Sequence, residues 1–190
     1  HQTSQNSYTD TFLVKFNDCF SATAASSNTP TCAGSTLNLT ASGGTNYTWT
    51  GPNGFTSNIQ NPSISNVNAT HSGQYTCIIT VLGGCSIVQK ITVQINDTPT
   101  PSGNTNQSFC STANATVSDI IATGTNINWY NSATSTTPLA NTTLLSNNTT
   151  YYATQTSNNC ESVNRLAVTI SLINSLNATN YSEFICDNLN

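Results

Sequence analysis

A short phrase recurs along this chain and limits what it can fold into. The segment Leu13-Val-Lys-Phe-Asn-Asp18 precedes Cys32, Thr92-Val-Gln-Ile-Asn-Asp97 precedes Cys110, and Ile170-Ser-Leu-Ile-Asn174 precedes Cys186. Each is an apolar alternating run followed by a polar linker and a cysteine. The cysteine comes 14, 13 and 12 residues after Asp18, Asp97 and Asn174. A period of about 80 residues is the signature of a domain array. A chain of 190 residues holds two such domains and a fragment at either end. The reading is a last strand of a preceding domain over 1–18, one domain over 19–97, a second over 98–173, and a linker with the first strand of a following domain over 174–190.

Alternation decides the fold class. Leu37 and Leu39 alternate with Thr36, Asn38 and Thr40, and Tyr47 and Trp49 alternate with Asn46, Thr48 and Thr50. Tyr75, Cys77, Ile79 and Val81 line one face of a longer strand, and Val88, Ile91, Val93 and Ile95 lie in the strand that closes the domain. A period of two over runs this short is the mark of half-buried strands. Turn signals separate them: Ser42-Gly43-Gly44, Gly51-Pro52-Asn53-Gly54, Asn61-Pro62 and Gly83-Gly84. Asn53-Gly54 suits the positive φ angles of a tight hairpin turn. The second domain repeats the plan. Val117, Ile120 and Ile121 open its core, Ile127 and Trp129 answer Tyr47 and Trp49, Tyr151 and Ala153 answer Tyr75 and Cys77, and Leu166, Val168 and Ile170 close it. No window keeps a helical period. One tryptophan per domain, with Gly73-x-Tyr75-x-Cys77 at the spacing of a tyrosine corner, predicts an all-β pair of immunoglobulin-like sandwiches. Trp49, Tyr75, Trp129 and Tyr151 are the expected core.

Seven cysteines at repeating positions predict an oxidising compartment. Cys110 and Cys160 are the only cysteines of the second domain and are expected to pair. Cys32 and Cys85 align with them at similar separation and are expected to pair in the same way. Closing such a loop stabilises by roughly 4 kcal/mol in the chain-entropy model. Cys77 then has Cys19 as its nearest partner, with a buried free thiol as the alternative. Zinc is not expected, because short cysteine pairs are missing and His1 and His71 have no second ligand nearby.

Charge excludes other functions. Only three residues are basic and seven acidic, for a net charge of −4. Displacing counterions from nucleic acid takes clustered Lys or Arg, and so does holding anionic lipid. No apolar stretch reaches the roughly 20 residues of a membrane helix. Asp18 and Asp97 sit at domain junctions, where calcium binds in some arrays, but convergent oxygens are missing. His71 is beside Ser72 without an orienting acid, so no catalytic constellation forms and no cofactor is implied. The many Asn-x-Ser/Thr triplets follow from a chain in which 86 residues are Asn, Ser or Thr. Tyr47, Phe55 and Tyr130 are the aromatics that would stack on sugar if they faced outward.

These residues resemble a family. Cys32-Ala-Gly-Ser-Thr-Leu-Asn-Leu-Thr-Ala41, Tyr47-Thr-Trp49-Thr-Gly-Pro-Asn-Gly-Phe55, Ser72-Gly-Gln-Tyr75 and Gly83-Gly-Cys85 resemble the Ig-like repeats of giant surface proteins of Bacteroidota. Trp129-Tyr-Asn-Ser-Ala133, Pro138-Leu-Ala140, Thr150-Tyr-Tyr152 and Asn159-Cys-Glu-Ser162 are similar to another repeat type of the same proteins. The resemblance covers residues 19–173, and Cys77 departs from it, since a Val-like residue is usual there. It implies a non-enzymatic, extracellular repeat segment of a long adhesin or surface filament, of the SprB gliding-motility kind, exported by type IX secretion. Neighbouring repeats of the same chain are then the first partners, with lateral self-association and a glycan or other surface ligand as further ones. The alternatives are a glycan- or protein-recognition module, or accessory domains of a secreted multidomain hydrolase.

Overall fold

The computed structural model describes residues 22–173. Nine strands make the first unit: β1 (Ala24–Ser27), β2 (Thr31–Cys32), β3 (Leu37–Ser42), β4 (Asn46–Gly51), β5 (Phe55–Ser57), β6 (Ser63–Ile64), β7 (Gly73–Thr80), β8 (Ser86–Val93) and β9 (Ile95–Asn96). Six make the second: β10 (Asn106–Cys110), β11 (Asn128–Tyr130), β12 (Thr149–Thr154), β13 (Thr156–Ser157), β14 (Cys160–Glu161) and β15 (Leu166–Ile173). No α-helix forms among the described residues, only single 3-10 turns such as Pro52–Gly54 and Ala69–His71. None of these is long and apolar enough to cross a membrane.

In the first unit a sheet of order β1-β3-β6 faces a sheet of order β5-β4-β7-β8. The alternation of β3 and β4 sends Leu37, Leu39, Ala41, Tyr47 and Trp49 between the sheets, where Tyr75, Cys77, Ile79 and Val93 meet them. Trp49 and Tyr75 are completely buried. Each keeps its polar atom satisfied, as buried Tyr and Trp must. Trp49 Nε1 donates to the carbonyl of Gln60 at 3.2 Å, and the Tyr75 hydroxyl donates to the carbonyl of His71 at 3.1 Å. The latter bond is the tyrosine corner. Asn53 and Gly54 take φ of 56° and 68° at the tight connection from β4 to β5. Gly51 has another reason to be glycine: a Cβ there would run into the Tyr75 ring.

The second unit buries a separate cluster of Val117, Ile120, Trp129, Leu145, Tyr151, Ala153, Val168 and Ile170. Its main sheet has the order β10-β15-β12-β11. Tyr151 accepts from the amide of Ser146 at 3.0 Å, five residues upstream, so a Tyr-to-backbone clasp forms without the glycine seen in Gly73-x-Tyr75. Two of the apolar positions named from the sequence turn away from the core. Ile121 is 73% exposed, because the buried Ile120 beside it fills the inward place. Val88 is 54% exposed, since Ile91 and Val93 set the inward parity of β8 and Val88 has the opposite one.

Both units share one device at their ends. In each, an early strand runs parallel to the closing strand. β2 pairs with β9, matching Cys32 to Asn96. β10 pairs with β15, matching Cys110 to Ile173. Cys32 and Cys110 therefore lie at the exit end of their units. Cys85 and Cys160 lie in the connection that precedes the closing strand, at the entry end.

Candidate functional site

The site with the most chemistry is the junction between the two units. Chain leaves β9 as Asp97-Thr98-Pro99. Thr98 is 6% exposed, and its hydroxyl donates to the carbonyl of Cys160 at 2.8 Å. The Gln155 amide donates to the carbonyl of Pro99 at 2.8 Å and accepts from the amide N–H of Thr125 at 2.8 Å. The linker is thus hydrogen-bonded to the second unit at consecutive residues. Every such bond made on a buried group must be replaced if the junction opens.

A two-residue hairpin presents Cys160. β13 and β14 pair Ser157 with Cys160, and the loop between them is Asn158-Asn159. Both asparagines have positive φ, 50° and 59°. That is the backbone a type I′ hairpin requires, and asparagine adopts it more readily than other side chains. Glu161 then pins the hairpin to the sandwich. Its Oε1 accepts from the Tyr130 hydroxyl at 2.6 Å and from the Thr154 hydroxyl. Arg165 lies 3.9 Å over the Tyr130 ring and donates to the carbonyls of Ser132 and Ser135 at 2.8 and 2.7 Å. Burial, and then the adjacent Glu161 carboxylate, push the Tyr130 phenol above its ordinary pKa, while Thr154 and Arg165 oppose the rise.

Cys160 bonds to Cys32. The S–S distance is 1.99 Å, the Cα atoms are 5.4 Å apart, and the partners are 128 positions apart in sequence. This bridge joins the exit end of the first unit to the entry end of the second. It overturns the expected Cys32–Cys85 and Cys110–Cys160 pairs. Equal spacing suggested them, but strand geometry forbids them. Cys85 precedes β8, and Cys32 lies level with Asn96 after β8. About ten extended residues separate the two levels, roughly 30 Å, whereas a disulfide holds Cα atoms within about 7 Å. Cys160 and Cys110 stand at opposite ends of the second unit for the same reason. Cys85 and Cys110 are themselves disulfide-bonded.

Cys77 corrects a further expectation. It is a free thiol, fully buried opposite Trp49 in the register of β4 and β7. The expected Cys19–Cys77 bridge is therefore not made at Cys77, while Cys19 lies outside the described residues, as do His1, Asp18 and Cys186. Desolvation raises the Cys77 pKa and the Thr48 backbone hydrogen bond lowers it less.

The aromatic residues that could have stacked on sugar had they faced outward are turned inward. Tyr47 is 9% exposed and closes on Gly44, exchanging hydrogen bonds with its amide and carbonyl at 3.1 and 2.9 Å. Tyr130 is 3% exposed. Phe55 packs on the core, its ring 5.7 Å from that of Tyr75. Apolar rings stay dry where a core can take them. His71 fills a 3-10 turn, where its Nδ1 accepts from the Asn68 amide at 3.2 Å. No group of three His, Cys, Asp or Glu residues able to hold a metal occurs among the described residues. Asp97 is exposed at the start of the linker.

Two family models match the chain. Residues 97–173 match the Ig-like domain described as CHU_C associated. Residues 21–95 match the Immunoglobulin domain. The chain therefore carries two Ig-like domains in tandem. No curated protein matches it significantly. Among solved structures it is similar to an amphioxus IgVJ-C2 molecule, with 19% identity over 39% of this chain and 43% of that one and a TM-score of 0.34. It is also similar to murine CEACAM1b, with 14% identity over 80% of this chain and 100% of that one and a TM-score of 0.37. The N-terminal four Ig domains of a Dscam1 isoform are 13% identical over 83% of this chain and 52% of theirs, with a TM-score of 0.33.

Proposed function

We propose that this chain is a load-bearing structural segment of a long extracellular surface protein, an adhesin or filament stalk, and that it is not an enzyme. One observation carries the reading: Cys32 and Cys160 are bonded across two separate cores. Tension applied along the chain passes from the N-terminal side to Cys32, through the sulfurs to Cys160, and onward. Residues 33–159 lie inside the covalent loop that this bond closes. That loop contains most of both hydrophobic cores. A module that only displayed a ligand would gain little from such a path.

Composition agrees with an exposed, non-steered surface. Ten charged residues in 190 leave amides and hydroxyls to hold the water. Disulfide use fits an oxidising, extracellular setting. The CHU_C-associated Ig-like match over 97–173 supports the narrower reading of a Bacteroidota surface repeat exported by type IX secretion and serving adhesion or gliding.

Force spectroscopy with handles on the two chain termini tests the load path. Under oxidising conditions, residues 33–159 stay hidden at every force below bond rupture. After reduction the same chain gains about 400 Å of contour, at roughly 3.4 Å per residue. Equal extension before and after reduction would remove the stalk reading.

A further inference from the structure

We infer that the open edge of β8 pairs with the same edge of a second copy of this chain, antiparallel and about a two-fold axis at Val88. β8 is the last strand of the sheet β5-β4-β7-β8. Val81 donates to the carbonyl of Cys85 at 2.9 Å, and the register then matches Thr80 to Ser86 and Gly73 to Val93. The odd-numbered residues of β8 therefore turn their backbone groups to β7, and Ser86, Val88, Lys90 and Thr92 turn theirs outward. The outward series continues past the strand, where the carbonyls of Gln94 and Asn96 accept from the amides of Thr31 and Ala33 at 3.2 and 2.9 Å. β2 covers the edge only there. Upstream of Gln94, none of the described residues bonds to the outward backbone groups. In the second unit β10 fills the corresponding lane along 169–173 of the closing strand. A row of unpaired N–H and C=O groups is a template for another strand.

Side chains beside the lane select a second copy as its occupant. Val88 stands directly across from Ile78, and both are exposed, by 54% and 40%. A sheet that continues past β8 covers this apolar pair. Lys90 is the one Lys, Arg, Asp or Glu in residues 22–96, so little charge opposes a like surface. A lysine is a common guard of an edge strand, and here it decides the register. An axis at Lys90 would set the two ammonium groups face to face, which is destabilising. An axis at Gln89 would leave them about 7 Å apart along the strands, within the Debye length of physiological salt, about 8 Å. An axis at Val88 puts each Lys90 across from Ser86 of the other copy and the two lysines about 13 Å apart. It also packs Val88 on Val88. Thr92 then meets Gly84 of the other copy, so the pairing ends at the Gly83-Gly84 turn on one strand and just before β2 on the other. The patch is complementary to itself, as a two-fold interface requires.

Such pairing goes beyond the stalk reading and does not rest on it. Sedimentation of the oxidised 190-residue protein over a range of concentrations should show a dimer that dissociates on dilution. Amide hydrogen exchange at Ser86, Val88 and Lys90 should slow as the dimer forms, while the amides of Ile87 and Gln89, already turned to β7, should not change. Two substitutions at exposed positions read the register, and the fold of each is checked by its melting curve in dilute solution. Val88→Lys puts like charges on the axis and should weaken dimerisation by about tenfold or more. Ser86→Glu sets a carboxylate across from each Lys90 and should tighten the dimer at low salt, with the gain lost at high salt. A protein that stays monomeric at every concentration would overturn the pairing. So would a dimer that Val88→Lys leaves unweakened or Ser86→Glu leaves untightened. Amides of 86–92 already protected in the dilute monomer would show the lane taken within one chain, and would overturn it too. The Cys32–Cys160 load path would stand in each of these cases.

Discussion

At the scale of single residues, three positions show how burial fixes chemistry. Cys77 occupies a core place where a sulfur partner is expected, yet β3 opposes it with Leu39 and Ala41 in the same core. It acts as a small hydrophobe. Cys77→Val is expected to change stability by less than about 1 kcal/mol, within the range for volume-conserving swaps, and the native thiol should resist alkylation until the chain is unfolded. Gly51 is legible as a turn residue, but its φ of −167° is ordinary extended backbone. Its need is space beside the Tyr75 ring. Gly51→Ala should lower stability by about 1–3 kcal/mol, the usual cost of overpacking, read as a shifted midpoint in urea. Tyr130 gives a pH signature. Its phenol is held above its ordinary value by burial and by Glu161. Its contribution is therefore complete below pH about 10, the value for the unfolded side chain, and is lost as pH rises through the higher folded value. Glu161→Gln removes the charge that adds to this shift. The Tyr130 transition in an ultraviolet titration should move to lower pH, and an unmoved transition would show that Glu161 contributes nothing.

At the scale of elements, the linker and the hairpin beside it form one object. Thr98 and Pro99 bond to the second unit before any strand of that unit begins. A protease nick within residues 97–105 should therefore leave both units migrating as one species on a non-reducing gel, and two fragments should appear only after reduction. Two fragments without reduction would mean that the bridge is not formed in solution. The elements also show what sequence can and cannot reveal. The strands are legible because Leu37-x-Leu39-x-Ala41 and Tyr47-x-Trp49 alternate against polar neighbours, and the hairpins because Asn53-Gly54 allows positive φ. The Asn158-Asn159 turn was open to the same reading, and it would have placed Cys160 at a hairpin tip. The pairing of cysteines was not legible. Separation along the chain does not say which end of a sandwich a residue reaches, and the parallel pairing of β2 with β9 decides that for Cys32. The polar cluster of Tyr130, Thr154, Glu161 and Arg165 was hidden for a similar reason. Its members are scattered from 130 to 165 and meet only when β11, β12 and β14 come together.

At the scale of the whole molecule, the Cys32–Cys160 bond and a short hydrogen-bonded linker couple the two cores among the described residues. A linker alone would leave domain motion as the default, since contacts between domains are commonly weak. The bridge removes most of that freedom, because Cys32 and Cys160 must stay within disulfide distance while Thr98 holds the carbonyl of Cys160. Cross-linking over 128 positions also restricts the unfolded chain, by about 5 kcal/mol in the chain-entropy model. Cys32→Ser should act at both levels. Small-angle X-ray scattering should show a broader spread of inter-unit distances for the variant than for the native protein. Unfolding should separate from one transition into two, because each core then melts without the constraint of the other. Cys77→Ser serves as the comparison: it removes a sulfur without touching the junction, so it should lower stability and leave the scattering unchanged. If Cys32→Ser left the distance distribution as narrow as in the native protein, the linker hydrogen bonds alone would be holding the junction, and the bridge would act only on the unfolded chain.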